Sequence, residues 1–469
     1  MSSKKKILAG VVGVGALVFA GALAYALVPT ETRDIGAGPQ LAAGSAEEKQ
    51  LVEAGRYVAV ASDCIACHTA PGGKDFAGGR GIESPIGTMY STNITPDQKT
   101  GIGAYTLNDF DRAVRHGIKP SGGTLYPSMP YPSYAKMSDQ DLRALYAYFM
   151  KGVAPVAAEN RGSDIGWPLS IRWPLAIWRK QFAPEVKPVD LTRYADASVA
   201  RGAYLVQSLG HCGTCHTPRS ATMSELALDE SGPAYLAGGP HIDGWLAVNL
   251  RGDKADGMGS WSQKDIVDTL KGARNAHSAV VGGPMADVVA HSTQHMTDAD
   301  LNAMAAYIKT LPASGGSKST FAASDTTAKE LYNGVEKNRG AQLYLDNCAA
   351  CHRTDGKSNA IVFPALPGNP TVLSQDPTSL IRVILAGSRL PSTKVAPSDL
   401  GMPGFAWRLS DEETAQLATF VRQSWGNNAP EATASQVAKV RKLVDHEEMK
   451  AGNAHSQEAA NKIVAAGQK

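Results

Sequence analysis

The six cysteines of this 469-residue chain all belong to one five-residue pattern, Cys-x-x-Cys-His, which occurs three times. The pattern spans residues 64–68, 212–216 and 348–352. Two thiols separated by two residues can each bond to one vinyl group of the same porphyrin, and the histidine that follows is then held under the iron. This spacing is typical of c-type haem attachment. The sequence therefore predicts three covalently bound haem c groups, attached through Cys64, Cys67, Cys212, Cys215, Cys348 and Cys351.

Other uses of these cysteines fit the pattern poorly. A structural zinc site needs four ligands, and each copy of the pattern offers three. A thioredoxin-type pair gives no reason for a histidine to follow it three times, and a disulfide scaffold would rarely leave every cysteine in such a pair. We therefore predict that His68, His216 and His352 are the proximal ligands of three haem irons.

A haem that only carries electrons is commonly closed on its far side by methionine, which raises the reduction potential. Met402 is the only methionine between Cys351 and the end of the third repeat, and it lies next to Pro403, eight residues before Ser410. Two further methionines adjoin a proline at a similar position. We predict Met129, Met285 and Met402 as the sixth ligands. The alternatives are Met89, Met137, Met223, Met258, Met296 and His295, whereas Met304 fits the apolar stripe of a helix.

A short helical stretch with a glycine and an aromatic residue precedes each pattern, and a second helix follows it. The second helices begin with [ST]-x-x-[DE] capping boxes at Ser138, Thr297 and Ser410 and continue with apolar residues at helical spacing. The glycine lets two helix backbones approach closely. The predicted fold class is mainly α: three tandem class I cytochrome c domains with covalently bound haem. Haem as the core explains an aromatic content of only 7%.

The predicted domain boundaries fall between the closing helix of one repeat and the opening helix of the next. The predicted segments are a signal peptide or membrane anchor (1–30), cytochrome c domains at 47–153, 191–311 and 338–426, a Trp/Pro-rich strap (154–190), a linker (312–337) and a C-terminal tail (427–469). In the tail, Val437, Val440, Leu443 and Val444 share one helical face, which indicates a small docking helix or a solvent-exposed one.

The N-terminus carries the pattern of an exported protein. Three lysines, Lys4 to Lys6, precede 22 uncharged residues that end before Pro29. The stretch is long for a signal peptide and could span about 30 Å of hydrocarbon, which favours a retained anchor over cleavage after Ala26. In both cases the haem domains lie on the periplasmic side of the cell membrane.

Composition and missing motifs exclude several classes of function. The net charge is only +2, so there is no basic excess for binding nucleic acid. The chain has no Gly-x-Gly-x-x-Gly fingerprint for a dinucleotide and no hydrolase motif. If histidine and methionine close all three irons, no iron is open to a substrate. We therefore expect no catalytic residues in this chain.

Nearly the whole chain resembles the triple-haem cytochrome c subunits of bacterial membrane-bound alcohol, gluconate, sorbitol and fructose dehydrogenases. The resemblance lies in the three haem patterns and in the local stretches 84–97, 125–131, 144–149 and 424–427. It implies an electron-transfer subunit that is not an enzyme on its own and that passes electrons from a flavin- or quinone-containing catalytic subunit to membrane ubiquinone. It leaves a small third subunit open.

Two alternative functions remain. The chain could be a haem carrier that serves a terminal oxidase, or a haem peroxidase with one open iron.

Residues 166–180 allow two interpretations of their own. They hold three of the seven tryptophans together with basic residues. This composition suits either a membrane interface or a strap packed on the domains, and its prolines favour the strap.

Overall fold

The computed structural model describes residues 3–38, 41–273, 275, 277, 281–358, 363–398 and 401–445, with the backbone alone for residues 3–10. Over these residues the chain is mainly helical, and its strands form two-stranded antiparallel hairpins or pairs. The backbone packs into two compact units. Unit 1 is Met1–Thr214, Arg219–Asp229 and His295–Met304; unit 2 is Cys215–Pro218, Glu230–Gln294 and Ala305–Lys469.

The helices are numbered in chain order. They are α1 (Ser3–Leu27), α2 (Ala46–Ala61), α3 (Cys64–His68), α4 (Leu107–Val114), α5 (Tyr131–Tyr134), α6 (Asp139–Ala147), α7 (Pro174–Phe182), α8 (Ala197–Tyr204), α9 (Gly213–His216), α10 (Gln263–Leu270), α11 (Pro284–His291), α12 (Asp298–Thr310), α13 (Thr326–Tyr332), α14 (Arg339–Asn347), α15 (Ala349–His352), α16 (Pro370–Leu373), α17 (Thr378–Ala386), α18 (Asp411–Gln423) and α19 (434–445). Single π-helical turns follow α6 and α8, at Tyr148–Gly152 and Leu205–Leu209.

The strands are β1 (Gly81–Ile82), β2 (Met89–Tyr90), β3 (His241–Ile242), β4 (Trp245–Leu246), β5 (Thr320–Phe321), β6 (Ser388–Arg389), β7 (Gly401–Met402) and β8 (Asn427–Asn428). They pair as β1–β2, β3–β4, β5–β8 and β6–β7, all antiparallel. The predicted linker 312–337 thus contains a strand, β5, and a helix, α13.

Glycine allows the opening and closing helices of the first and third repeats to touch, as predicted. In unit 1, a Cβ on Gly55 of α2 would lie 1.8 Å from the carbonyl oxygen of Ala144 in α6. In unit 2, a Cβ on Gly340 of α14 would lie 2.5 Å from the carbonyl oxygen of Gln416 in α18. Neither contact leaves room for a side chain, so these crossings require glycine.

The three predicted capping boxes differ in the structure. Ser410 forms the complete reciprocal box with Glu413. Ser138 and Thr297 accept the backbone N–H of Asp141 and Asp300, but those two carboxylates bind distant tyrosines instead of the cap backbone (see below). The prediction of a complete capping box is therefore confirmed at Ser410. It is wrong at Ser138 and Thr297, because Asp141 and Asp300 make tertiary contacts instead.

The C-terminal segment contains a docked helix. Val437, Val440 and Val444 of α19 are buried in the same apolar cluster as α14 and α18, whereas Leu443 is 47% exposed. Arg441 fixes this helix by donating to the carboxylate of Asp411 and to two backbone carbonyls. The docking-helix interpretation is confirmed for 434–445, and the rest of the predicted tail after 445 lies outside the described residues.

Residues 154–190 contact the rest of unit 1, as the strap interpretation predicts. The ring of Trp178 packs edge-on against Tyr131, and its Nε1–H donates to the carbonyl of Thr222 at 2.7 Å. Trp173 packs edge-on against Phe19 of α1 with ring centroids 5.6 Å apart. Trp167, in contrast, is 83% exposed.

The predicted segment 1–30 is helical over Ser3–Leu27, and its first two residues lie outside the described part. The ammonium group of Lys180 donates to the carbonyls of Tyr25 and Val28 at the end of this helix. Among the residues that were described, no helix combines the length and apolar character needed to cross a membrane. The choice between signal peptide and anchor therefore stays a prediction.

An ion pair in unit 2 makes stability depend on pH. His241 of β3 binds the carboxylate of Asp376 with 3.1 Å between Nε2 and Oδ2. The hydrogen bond to Asp376 raises the pKa of His241. The hydrogen bonds that Asp376 accepts from His241 and from Thr378 lower the pKa of Asp376. The contribution of His241 to the free energy of unfolding is complete below the unfolded-state pKa of about 6.5, and it is lost as pH rises through the raised pKa of the folded state. The contribution of Asp376 is lost as pH falls below about 3.9.

We expect the free energy of unfolding of unit 2 to fall between about pH 6 and pH 8 by at most about 1 kcal/mol, because both side chains are more than a third exposed. His241→Gln should flatten this slope in urea titrations at the two pH values. The control is His291→Gln, at an exposed histidine, which should keep the wild-type slope. A slope that survives in His241→Gln would refute the assignment.

Candidate haem sites

Each Cys-x-x-Cys-His pattern forms a short helix that ends at its histidine. These helices are α3, α9 and α15. In the first two repeats the residue before the first cysteine adopts the left-handed conformation, with φ of 50° at Asp63 and 37° at His211. Such a residue turns the chain sharply from the opening helix into the attachment helix. The local fold thereby separates the attachment segment from the helix that precedes it.

The three pattern histidines share one contact. Nδ1 of His68 lies 2.7 Å from the carbonyl oxygen of Thr92. Nδ1 of His216 lies 2.7 Å from that of Val248, and Nδ1 of His352 lies 3.2 Å from that of Pro364. A carbonyl oxygen only accepts, so each Nδ1 must carry the proton. The lone pair of each Nε2 is then free to bind a metal, and the carbonyl fixes the orientation of the ring.

The protonation states suit iron ligation and thioether attachment. Burial lowers the pKa of His68, His216 and His352, which keeps the imidazoles neutral at pH 7. Burial raises the pKa of the Cys64 and Cys348 thiols to about 12. Thiols with such a pKa are protonated in the absence of a bound metal. Neutral imidazoles with a free Nε2, next to a Cys-x-x-Cys pair, fit haem c.

The carbonyl partners of His68 and His216 come from a longer repeat that the sequence reasoning missed. Thr92 and Val248 each lie two residues beyond a hairpin, β1–β2 or β3–β4. Each precedes the pattern Asn-[Ile/Leu]-x-x-Asp-x-x-x-Gly-[Ile/Met]-Gly, at 93–103 and 249–259. The pattern closes similar loops, since Ile102 N–H donates to Thr95 and Met258 N–H donates to Arg251. The repetition of this pattern at two places was the available signal.

Two arginines also contact the attachment helices, and no sequence pattern indicated them. Arg80 donates from Nη1 to the carbonyl of Ala66 at 2.9 Å, and Arg219 donates from Nη2 to the carbonyl of Thr214. Ala66 and Thr214 occupy the same position within their patterns. Each guanidinium thereby provides a donor for a backbone carbonyl of a short helix.

The predicted methionine ligands lie in three different local structures. Met129 precedes α5, Met285 is the second residue of α11, and Met402 ends β7, where it pairs with Ser388. All three are partly buried. Of the alternatives, Met137, Met258 and Met296 are buried and Met223 is 50% exposed, while Met304, which the sequence assigns to the core, is buried as predicted. Met89 stays an alternative in the first repeat, because its sulfur lies 3.7 Å from the hydroxyl of Ser128, next to Met129.

Within unit 1, reciprocal contacts join the first two repeats. Tyr57 of α2 donates to Asp300 of α12 at 2.7 Å, and Arg201 of α8 binds both oxygens of that carboxylate at 2.8 Å. In return, Tyr204 of α8 donates to Asp141 of α6. Each tyrosine thus binds the acid at the start of the other repeat's closing helix, and these contacts hold the two repeats together.

The attachment points of these two repeats also lie near one shared side chain. The hydroxyl of Tyr134 donates to the carbonyl of Ser62 at 2.8 Å, two residues before Cys64. The ring of Tyr134 packs edge-on against His211, with centroids 5.7 Å apart, one residue before Cys212. The segments that lead into the first two attachment helices therefore contact the same tyrosine side chain.

Comparison with known proteins agrees with this geometry. The cytochrome c family model matches residues 52–152, 199–312 and 338–425, so each match contains one attachment pattern. The gluconate 2-dehydrogenase cytochrome c subunit of Pantoea cypripedii is 53% identical over 84% of this chain and 90% of that protein. The cytochrome c subunit of the quinone alcohol dehydrogenase of Gluconobacter oxydans is 52% identical over 84% and 83% of the two chains. The fructose dehydrogenase cytochrome subunit of Gluconobacter japonicus is 37% identical over 87% and 86%.

Proposed function

The chain belongs to the cytochrome c family, and we propose that it carries electrons from the catalytic subunit of a membrane-bound dehydrogenase to membrane ubiquinone. It is a cytochrome c subunit of a dehydrogenase complex, with three covalently bound haem c groups. Bound haem c supplies a one-electron carrier. The relatives are subunits of gluconate, alcohol and fructose dehydrogenases, so we propose a CH–OH compound as the substrate of the partner subunit.

The single observation that carries this proposal is the repeated contact between Nδ1 of the pattern histidine and a backbone carbonyl. It supports His68, His216 and His352 as proximal ligands, because it leaves Nε2 of each ring free and fixes the orientation of the ring. The cysteines of each pattern would hold the porphyrin through thioether bonds. Met129, Met285 and Met402 are the proposed second ligands of the three irons. With a histidine and a methionine on each iron, no coordination site would be left for a substrate, so substrate oxidation would fall to the partner subunit.

We further propose that the protein works on the periplasmic side of the cell membrane. The support is the lysine-led apolar N-terminal segment and the site of ubiquinone in the membrane. The catalytic partner would carry a flavin or a quinone cofactor, and a small third subunit would be compatible with this arrangement.

The test is to purify the full-length chain from its own membranes together with bound partners. We expect a pyridine haemochrome assay to return three c-type haems per chain. A CH–OH substrate of the co-purifying large subunit should reduce them, and a short-chain ubiquinone should reoxidise them. Reoxidation by a terminal oxidase but not by the quinone would favour the carrier alternative. Carbon monoxide binding to the reduced wild-type protein would favour the peroxidase alternative.

A further inference from the structure

The hydrogen bond of the pattern histidine differs in length among the repeats, and the difference correlates with the residue that follows the accepting carbonyl. The Nδ1-to-carbonyl distance is 2.7 Å at Thr92 and Val248 but 3.2 Å at Pro364. An asparagine follows the carbonyl in the two short contacts, at Asn93 and Asn249, whereas an alanine follows Pro364. The shorter hydrogen bonds therefore coincide with an amide side chain next to the accepting carbonyl.

Asn93 is the more deeply embedded of the two amides, with only 2% of its surface exposed. Its Oδ1 accepts the N–H of Thr95 at 2.9 Å and the hydroxyl of Thr95 at 2.7 Å. Its Nδ2 donates to the carbonyl of Val156 at 2.7 Å and to the hydroxyl of Thr100 at 3.1 Å. The side chain thus ties the loop that carries the Thr92 carbonyl to the segment after the closing helix, and the carbonyl has little freedom to move.

Asn249 repeats the arrangement in unit 2. Its Oδ1 accepts the N–H of Arg251 at 2.8 Å, and its Nδ2 donates to the carboxylate of Asp253 at 2.8 Å. Asp253 in turn accepts the N–H groups of Ser314 and Gly315. Both amides therefore make the same turn to the residue two positions on and use Nδ2 to secure the loop. Two independent copies argue against a chance arrangement.

We propose that Asn93 and Asn249 are positioning residues that hold the carbonyls of Thr92 and Val248 against the proximal histidines and so set the reduction potentials of the first two haems. The inference rests on the proposed function, in which His68 and His216 bind iron. A strong Nδ1–H hydrogen bond raises the basicity of a metal-bound imidazole. The more basic ligand stabilises Fe(III), so loosening the carbonyl should raise the potential.

The test is spectroelectrochemical titration of the full-length protein with its three haems. Asn93→Ala should shift one haem couple upward, and Asn249→Ala should shift a different one. The expected change is about tenfold in the equilibrium between ferric and ferrous haem, which is about 59 mV for one electron. The third couple provides an internal control, because Ala365 follows its carbonyl. Asn93→Ser keeps an acceptor for the same turn and should return most of the wild-type potential.

The matched control is Asn302→Ala, which removes an exposed amide that donates to the carbonyl of Asp298 in its own helix and should leave all three couples unchanged. Lower thermal stability with unchanged potentials in both alanine variants would show a merely structural role and would overturn the proposal. If Asn93→Ala fails to retain haem, Asn249→Ala and Asn93→Ser decide the question. Fewer than three haems in the wild type would instead overturn the proposed function itself.

Discussion

Replacing Met402 with alanine is expected to open one of the three irons. Met402 ends β7, where its backbone pairs with Ser388 of β6, and the third repeat contains no other methionine that could take its place. The weak methionine-to-iron charge-transfer absorption should fall by about a third, because one of three equivalent centres loses its ligand. The ferrous protein should then bind about one carbon monoxide per chain, and one reduction potential should fall.

Matched variants identify the ligand of each haem separately. Met129→Ala and Met285→Ala should each give the same spectral loss at a different couple. Met304→Leu is the control, because Met304 is a buried core residue and a leucine of similar size should leave the absorption intact. If Met89→Ala opens the first iron while Met129→Ala does not, Met89 is the ligand. An unchanged spectrum in Met402→Ala would show that the assignment in the third repeat is wrong.

The sequence was sufficient for the parts of the sites that local covalent geometry determines. The Cys-x-x-Cys-His spacing specifies thioether attachment and a proximal histidine within five residues, so its meaning does not depend on distant contacts. Gly55 and Gly340 were predictable for a similar reason. A glycine recurs shortly before each attachment pattern, and at these two positions a side chain would collide with the closing helix. The apolar face of α19 was visible as helical periodicity, although Leu443, at one edge of that face, stays exposed.

Several of the contacts that the sequence did not predict join residues that are far apart in the chain. A capping box pairs residues three apart, but Asp141 and Asp300 instead bind tyrosines far away in the chain. Nothing near these acids in the sequence indicates that competition. Arg80 and Arg219 are similar, because they reach attachment-helix carbonyls without belonging to any shared motif. The repeat that contains Asn93 and Asn249 is visible in the sequence. Its structural role, however, depends on where the pattern histidine lies in the folded chain.

Arg422→Met is expected to destabilise unit 2 by about 3–5 kcal/mol. The side chain of Arg422 is fully buried on α18. Its guanidinium donates to the carbonyls of Pro430, Val372 and Ser374 at 2.7–2.8 Å. Burial lowers the pKa of Arg422 to about 10, so it is still charged at pH 7. Methionine fills much of the same volume but donates nothing, and each carbonyl left unpaired costs about 1–3 kcal/mol.

Urea unfolding of the full-length protein, followed by the haem absorption, measures this loss as a lower midpoint. Arg422→Lys should give an intermediate value, since one ammonium group cannot reproduce the planar fork that serves three acceptors. Arg408→Met, at an exposed arginine nearby in sequence, is the control and should change the free energy by about 0.5 kcal/mol or less. A wild-type midpoint in Arg422→Met would mean that the three carbonyls find other partners. Because Val372 and Ser374 lie at the end of α16 and Pro430 leads into α19, we expect the variant to loosen both elements together.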